Sequence, residues 1–154
     1  MIYNCENNFI SNLDNRELSI ILQKNLPWFL SENKNLLYHV LVFNNEPIST
    51  FYSLLEPFQK KVNKEINEAT FFMLLPNSEH KKIIDDSNNK YEESKFMKLI
   101  YHVDSSDGYT EIFAKDKINY TQNSSILIDN QLNTAEFNPI KSNFSLILKV
   151  LFNK

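Results

Sequence analysis

The sequence predicts an α+β domain dominated by strands, with two helices in its first half and an antiparallel sandwich or barrel after them. Three observations carry this. Apolar residues recur at helical spacing in two early segments. Short runs rich in β-formers follow one another with tight connections from Leu36 onward. At the end, Phe144, Leu146, Leu148, Val150 and Phe152 alternate onto one face, with Ser145 and Lys149 on the other. At 154 residues the chain fits one domain, 1–154, whose residues 1–12 read as a flexible N-terminal arm.

The elements follow in order. Asp14 reads as a helix N-cap, with Glu17 three residues on completing a capping box. Leu18, Ile21 and Leu22 then form an apolar stripe that ends near Asn25. A second helical region runs from Ser49 to Lys64, where Phe51, Leu54, Leu55, Phe58 and Val62 share one face and Pro57 must kink or restart it. Leu36–Phe43, Ala69–Leu75 and Phe96–Val103 read as strands. Ser105-Ser106-Asp107-Gly108 is a hairpin signal in which Gly108 takes positive φ, and Tyr109–Phe113 returns antiparallel. Ile118–Thr121 and Ser124–Asp129 follow. The polar stretch Asp85–Lys95 reads as one long exposed loop or lid.

Composition excludes several functions. The net charge of −3 offers no basic excess for nucleic acid. No apolar run reaches the roughly 18–20 residues of a membrane helix. A single cysteine, Cys5, forbids an intrachain disulfide and a Cys-rich zinc site. A single glycine, Gly108, forbids a P-loop, a dinucleotide fingerprint and a G-x-S-x-G elbow.

Four constellations could carry chemistry. His102-Val103-Asp104 has the spacing of two legs of a facial iron triad, but no histidine follows to supply the third. His80 with Asp85 and Asp86 reads as a solvated charged loop. Cys5 has no oxyanion-forming turn beside it. Glu111 and Asp116 could pair as acid and base, although carboxylates beside a turn ordinarily keep a sheet edge soluble. No catalytic, cofactor-binding or metal-binding residue is assigned from these.

The segments Leu26-Pro27-Trp28-Phe29, Tyr38-His39-Val40 and Phe51-Tyr52-Ser53-Leu54-Leu55-Glu56-Pro57 resemble the opening of a phage-borne family of small 2-oxoglutarate/iron(II) dioxygenases related to prolyl 4-hydroxylase. Ala69–Pro76 is similar to its strand before the iron loop. Leu99–Thr110, with Gly108-Tyr109-Thr110, resembles its hairpin, and Ser125–Asn130 and the final strand resemble its last strands. The resemblance covers about Leu26 to Phe152. It implies a double-stranded β-helix (jelly-roll-like) with two N-terminal helices packed on the sheet.

The same resemblance places the His-x-Asp ligands in Ile83-Ile84-Asp85-Asp86, where an aspartate survives without its histidine. It places the distal histidine within Asn130–Glu136, at Asn133 or Thr134, and the co-substrate arginine where Ser145 stands. One carboxylate does not retain iron(II). The expectation is therefore a non-catalytic member without cofactor, acting as a viral structural or accessory protein in a virion or host cytoplasm. It would work through protein partners, a particle or a homo-oligomer, and not through nucleic acid or membrane. The alternative is an oxygenase or small-molecule binding module with an unrecognised site in the jelly-roll cavity. Tyr3, Phe9 and Phe137 are the aromatic residues expected at a contact surface.

Overall fold

The computed structural model describes residues 3–32, 35–86 and 95–154. The strands are β1 (Tyr3–Asn7), β2 (Phe29–Leu30), β3 (Leu36–Phe43), β4 (Glu46–Pro47), β5 (Ile66–Leu74), β6 (Lys82–Asp85), β7 (Phe96–His102), β8 (Tyr109–Ile112), β9 (Asp116–Asn119), β10 (Ser124–Asp129), β11 (Thr134–Phe137) and β12 (Ser145–Asn153). The helices are α1 (Asn12–Lys24) and α2 (Glu56–Val62), the second entered through a 3-10 turn over Tyr52–Leu55. Asp85 closes β6; the rest of the expected lid lies largely outside the described residues.

Helix α1 starts earlier than the capping pattern suggested. Ser11 is its N-cap, and the Ser11 hydroxyl accepts from the Asp14 amide at 3.1 Å. Asp14 instead lies in the first turn, where its charge suits the positive end of the helix dipole. Pro57 opens α2 rather than kinking a longer helix, because the first helical turn leaves backbone N–H groups without intrahelical partners.

The larger sheet runs β1-β10-β7-β12-β5-β3-β2, with β4 on β3, and the smaller runs β6-β11-β8-β9. From β5 to β8 the chain alternates between the two sheets at every strand, and again from β9 to β12. This is a double-stranded β-helix with two helices packed on the larger sheet. Leu18 and Leu22 of α1 and Phe58 of α2 join Leu99, Tyr101, Leu146, Leu148 and Val150 in one core on that outer face. Ile100 of β7 and Ile126 of β10, and separately Ile147 of β12, point into two further apolar clusters between the sheets. The central strands are thus buried on both faces, so Ser145, on the face opposite the apolar stripe, is only 1% exposed.

The expected hairpin does not form. Strand β7 pairs with β10 and β12, while β8 pairs with β9 and β11, so residues 103–108 carry the chain from one sheet to the other. Gly108 does not take positive φ. Left-handed backbone falls instead to Asn8, Asn44, Asn45, Asn63 and Asn123, whose short polar side chain tolerates that region, and to Phe113 and Ala114 in the turn between β8 and β9. Gly108 is required by close approach. A Cβ there would lie 2.7 Å from the Phe137 carbonyl oxygen, 2.8 Å from Tyr120 and 2.9 Å from Ser145 Oγ. Gly108→Ala is expected to destabilise by about 2 kcal/mol through overpacking, read as a lowered denaturation midpoint; an unchanged midpoint would show that the crossing relaxes freely.

The N-terminal segment is part of the sheet rather than an arm, since Tyr3–Asn7 pairs with Ile128–Ser124. Phe9 is buried against Phe58 and Tyr101. Phe137 stacks on Tyr109, and the Tyr3 hydroxyl donates to Asp116. Among the described residues the exposed aromatics are others: Phe29, Phe43, Tyr52 and Phe113.

Candidate functional site

The inter-sheet space is polar at one end, and side-chain alternation places each polar group there. Along β7, Lys98, Ile100 and His102 share the inward face, while Leu99 and Tyr101 face the helices. On β12, Lys149 shares the inward face with Ile147 and lies opposite Ile100 and Thr70. Strand β11 directs Thr134 and Glu136 inward, and Asp86 follows β6. The Asp86 amide donates to the Thr134 carbonyl at 2.9 Å, which joins the two segments.

At this end the Lys149 ammonium is paired with Asp86 Oδ2. Lys98 Nζ lies 3.5 Å from the same oxygen and donates to Thr134 Oγ1 at 2.6 Å. Thr134 Oγ1 in turn donates to Asp86 at 3.4 Å. The Lys98 side chain is 2% exposed, that of Lys149 11% and that of Asp86 29%. Burial pushes the Lys98 ammonium down to about 8, assisted by the charge of Lys149 and opposed by Asp86 and Glu136. Burial alone would raise the Asp86 carboxyl, but the two lysines outweigh it and hold it below its usual range. A cavity of about 200 Å³ opens over this cluster, lined among others by Thr70, Ile84, Asp86, Lys98 and Lys149.

Deeper between the sheets lies a hydrogen-bonded polar network. Glu136 is fully buried, and its Oε1 accepts from Thr110 at 2.5 Å and Tyr120 at 2.9 Å. Its Oε2 has no hydrogen-bond partner among the described residues and lies 3.9 Å from Lys149 Nζ. Burial raises the Glu136 carboxyl above its ordinary value. His102 Nε2 lies 3.1 Å from Thr110 Oγ1. Because that hydroxyl donates to Glu136, Nε2 carries the proton and donates to Thr110. The His102 ring packs on Tyr120, and burial pushes it down to about 3.

The structure separates most of the constellations considered from sequence. Asp104 accepts from Ser19 of α1 at 2.8 Å, on the helix side of the sheet, while His102 faces the other side. His80 Nδ1 meets the Asn138 carbonyl at 2.7 Å and its ring packs on Tyr109, away from the Asp86 cluster. Asp116 accepts from Tyr3, and in register Glu111 faces Lys117. Cys5 is exposed on β1.

Of the positions implied by the resemblance, those on β6 and β11 come together, whereas Ser145 lies outside that cavity. Asp86 meets Thr134, and Ile84, two residues before Asp86, lines the same cavity. Ser145 hydrogen-bonds Ser106 at 2.6 Å. Sequence reasoning missed Lys98 and Lys149. Each interrupts an otherwise apolar strand, and a lysine buried there requires a partner.

These residues do not fit an iron(II) ion. Among the described residues the cavity is lined by two carboxylates, Glu68 and Asp86, and by no histidine, and Asp86 is already paired with lysine. Two ammonium groups beside it would repel a divalent cation. No group of three or more His, Cys, Asp or Glu suited to a metal occurs among the described residues.

The two-sheet alternation of the strands defines the fold class: a double-stranded β-helix of the type found in 2-oxoglutarate/iron(II) oxygenases. The chain is similar in structure to the viral collagen prolyl hydroxylase of Paramecium bursaria Chlorella virus-1, with a TM-score of 0.64 at 13% identity over 99% of this chain and 90% of that one. It is also similar to a Pseudomonas putida prolyl-4-hydroxylase, with a TM-score of 0.59 at 7% identity, covering 99% and 92%. HygX from Streptomyces hygroscopicus, solved with nickel and 2-oxoglutarate bound, gives 0.64 at 9% identity, covering 98% and 82%. No family model and no curated protein matches the sequence.

Proposed function

We propose that this chain is a metal-independent, non-catalytic variant of the oxygenase fold that binds a small polar molecule at the open end of its barrel. One observation carries the reading: lysine ammonium groups, not histidines, surround the aspartate at the junction of β6 and β11. An internal cation there neutralises Asp86 without a bound ion. The deeper space, into which a co-substrate would extend toward Ser145, is taken up by Ile147, Glu136, His102 and Tyr120, each 0–2% exposed. What stays open is the cavity over Lys98 and Lys149.

The protein as purified is expected to hold no stoichiometric iron, to show the same melting temperature in chelator and in iron(II), and to form no succinate from 2-oxoglutarate above background. Near-equimolar iron together with succinate formation would sink the proposal. A second reading, action through protein contacts as in a virus particle, is favoured by the exposed apolar residues Phe29, Leu30 and Ile48 beside edge strand β2. Sedimentation of the isolated chain and recovery of a stoichiometric partner from its source test that reading.

A further inference from the structure

We infer that Ser49 and His39 form a second, hydrolytic site at the β2 edge of the larger sheet, one that takes uncharged esters with a short apolar acyl group. Its cavity shares no lining residue with the one over Lys98 and Lys149. The chemistry is acyl transfer rather than oxygen chemistry, so the inference stands independently of the reading of the barrel end.

Three segments bring the groups together. His39 lies on β3, Ser49 follows β4, and Pro27 precedes β2. The Ile48 amide donates to the Leu41 carbonyl at 2.9 Å and so ties the Ser49 segment to β3. His39 Nδ1 lies 2.7 Å from the Pro27 carbonyl oxygen, and Nε2 lies 2.6 Å from Ser49 Oγ. A carbonyl oxygen only accepts, so Nδ1 carries the proton, Nε2 is the bare nitrogen, and the Ser49 hydroxyl donates to it. A serine nucleophile requires this relation: a base within reach of its proton, and a third group that holds the base in the correct tautomer. Phe29 and Phe51 flank the imidazole, with ring centroids at 5.9 and 5.8 Å. The Phe51 amide donates to Ser49 Oγ at 3.0 Å, which orients the hydroxyl and leaves it one lone pair for attack.

The pair is open to a ligand. Ser49 is half-buried, and with His39 it lines a cavity of about 470 Å³ whose other walls are Phe29, Tyr38, Val40, Ile48 and Thr50. Among the described residues no carboxylate, ammonium or guanidinium lines it, which selects an uncharged substrate. Phe29 and Ile48 are both exposed and offer apolar surface to an acyl chain. The Thr50 N–H, next in the chain to Ser49, has no hydrogen-bond partner among the described residues and is the donor available to the oxyanion. With one such donor, and a neutral carbonyl rather than a carboxylate behind the histidine, the reaction is restricted to esters with a good leaving group.

The chemistry balances with ester and water as the only reactants. Ser49 Oγ adds to the ester carbonyl carbon while its proton passes to His39 Nε2. The tetrahedral adduct collapses, the carbon–oxygen bond to the alcohol portion breaks, and the departing oxygen takes that proton. Water then opens the acyl-serine in the same two steps, releasing the carboxylic acid and restoring the hydroxyl.

The test is labelling of the intact protein, in chelator, with diisopropyl fluorophosphate, which phosphorylates an activated serine with loss of fluoride and a proton. Peptide mapping is expected to find one adduct, at Ser49, and the labelled protein should lose its hydrolysis of p-nitrophenyl butyrate. Ser49→Ala should abolish both. His39→Gln leaves Ser49 in place and should slow labelling by at least about a hundredfold, the low end of general-base catalysis. A serine that only shapes the turn before the 3-10 segment would show no such dependence. Should either variant not fold, the position of the adduct in the wild-type protein decides the matter. No adduct, an adduct at another residue, or labelling of His39→Gln at the wild-type rate overturns the inference. That outcome leaves the proposed function standing, and stoichiometric iron would remove the proposed function while leaving this inference intact.

Discussion

Asp86→Ala is expected to destabilise the protein by about 3 kcal/mol, the low end of the cost of removing one partner from a buried ion pair. The low end applies because the Asp86 side chain is 29% exposed while Lys98 and Lys149 are 2% and 11% exposed. Without the carboxylate, two ammonium groups would face each other across a cavity of about 200 Å³ with Thr134 as the remaining neutral acceptor. Adding Lys149→Met should recover a large part of the loss, because one buried charge goes with its repulsion. Urea denaturation of the two single variants and the double variant gives the coupling directly. Additive losses would show that the lysines do not depend on Asp86, and would remove the observation on which the proposed function rests.

The second large effect is acid lability through His102. The ring is held neutral in the folded chain, pushed down to about 3 by burial, against an ordinary value of 6.5. The sign follows from proton counting. Between these values the unfolded chain binds the proton and the folded chain does not, so folding stability falls as pH falls. The contribution is complete above about 6.5 and is lost progressively toward about 3, by at most about 1.4 kcal/mol per pH unit.

Glu136 acts in the opposite sense. Its carboxyl is raised in the folded state, so its contribution is present below its ordinary value of 4.5 and is lost as pH rises through the folded value. His102→Gln keeps a polar side chain beside Thr110 and removes the titration. The variant should therefore be less stable than wild type at pH 7 and lose less stability between pH 6.5 and 5. Parallel stability–pH curves for the two proteins would show that His102 titrates normally.

The strands were legible because their signal is local. Leu36–Phe43 and Ser124–Asp129 have the bounds read from the run of β-formers, and the alternation of Phe144 to Phe152 marks the outer face of β12. The helices were legible as stripes but not at their ends, where Ser11 rather than Asp14 accepts the capping bond. Strand pairing was less legible. A Ser-Ser-Asp-Gly turn between two β-runs resembles a hairpin, yet the chain crosses to the second sheet, and no local pattern distinguishes a return from a crossing.

By itself, then, the sequence determined the β-dominated class, the two helices and which face of the last strand is apolar. Those properties depend on residue type and on periods of 2 and 3.6, which are written along the chain. The tertiary structure alone decided that the opposite face of β7 and β12 is buried as well, and so that Lys98 and Lys149 stand inside the barrel with Asp86 rather than in water. It also decided that Gly108 is needed for space and not for φ. The physical reason is the same in both cases. Whether a charge is paired, or a Cβ has room, depends on atoms brought from segments tens of residues away, and a second sheet closing over the first is what brings them.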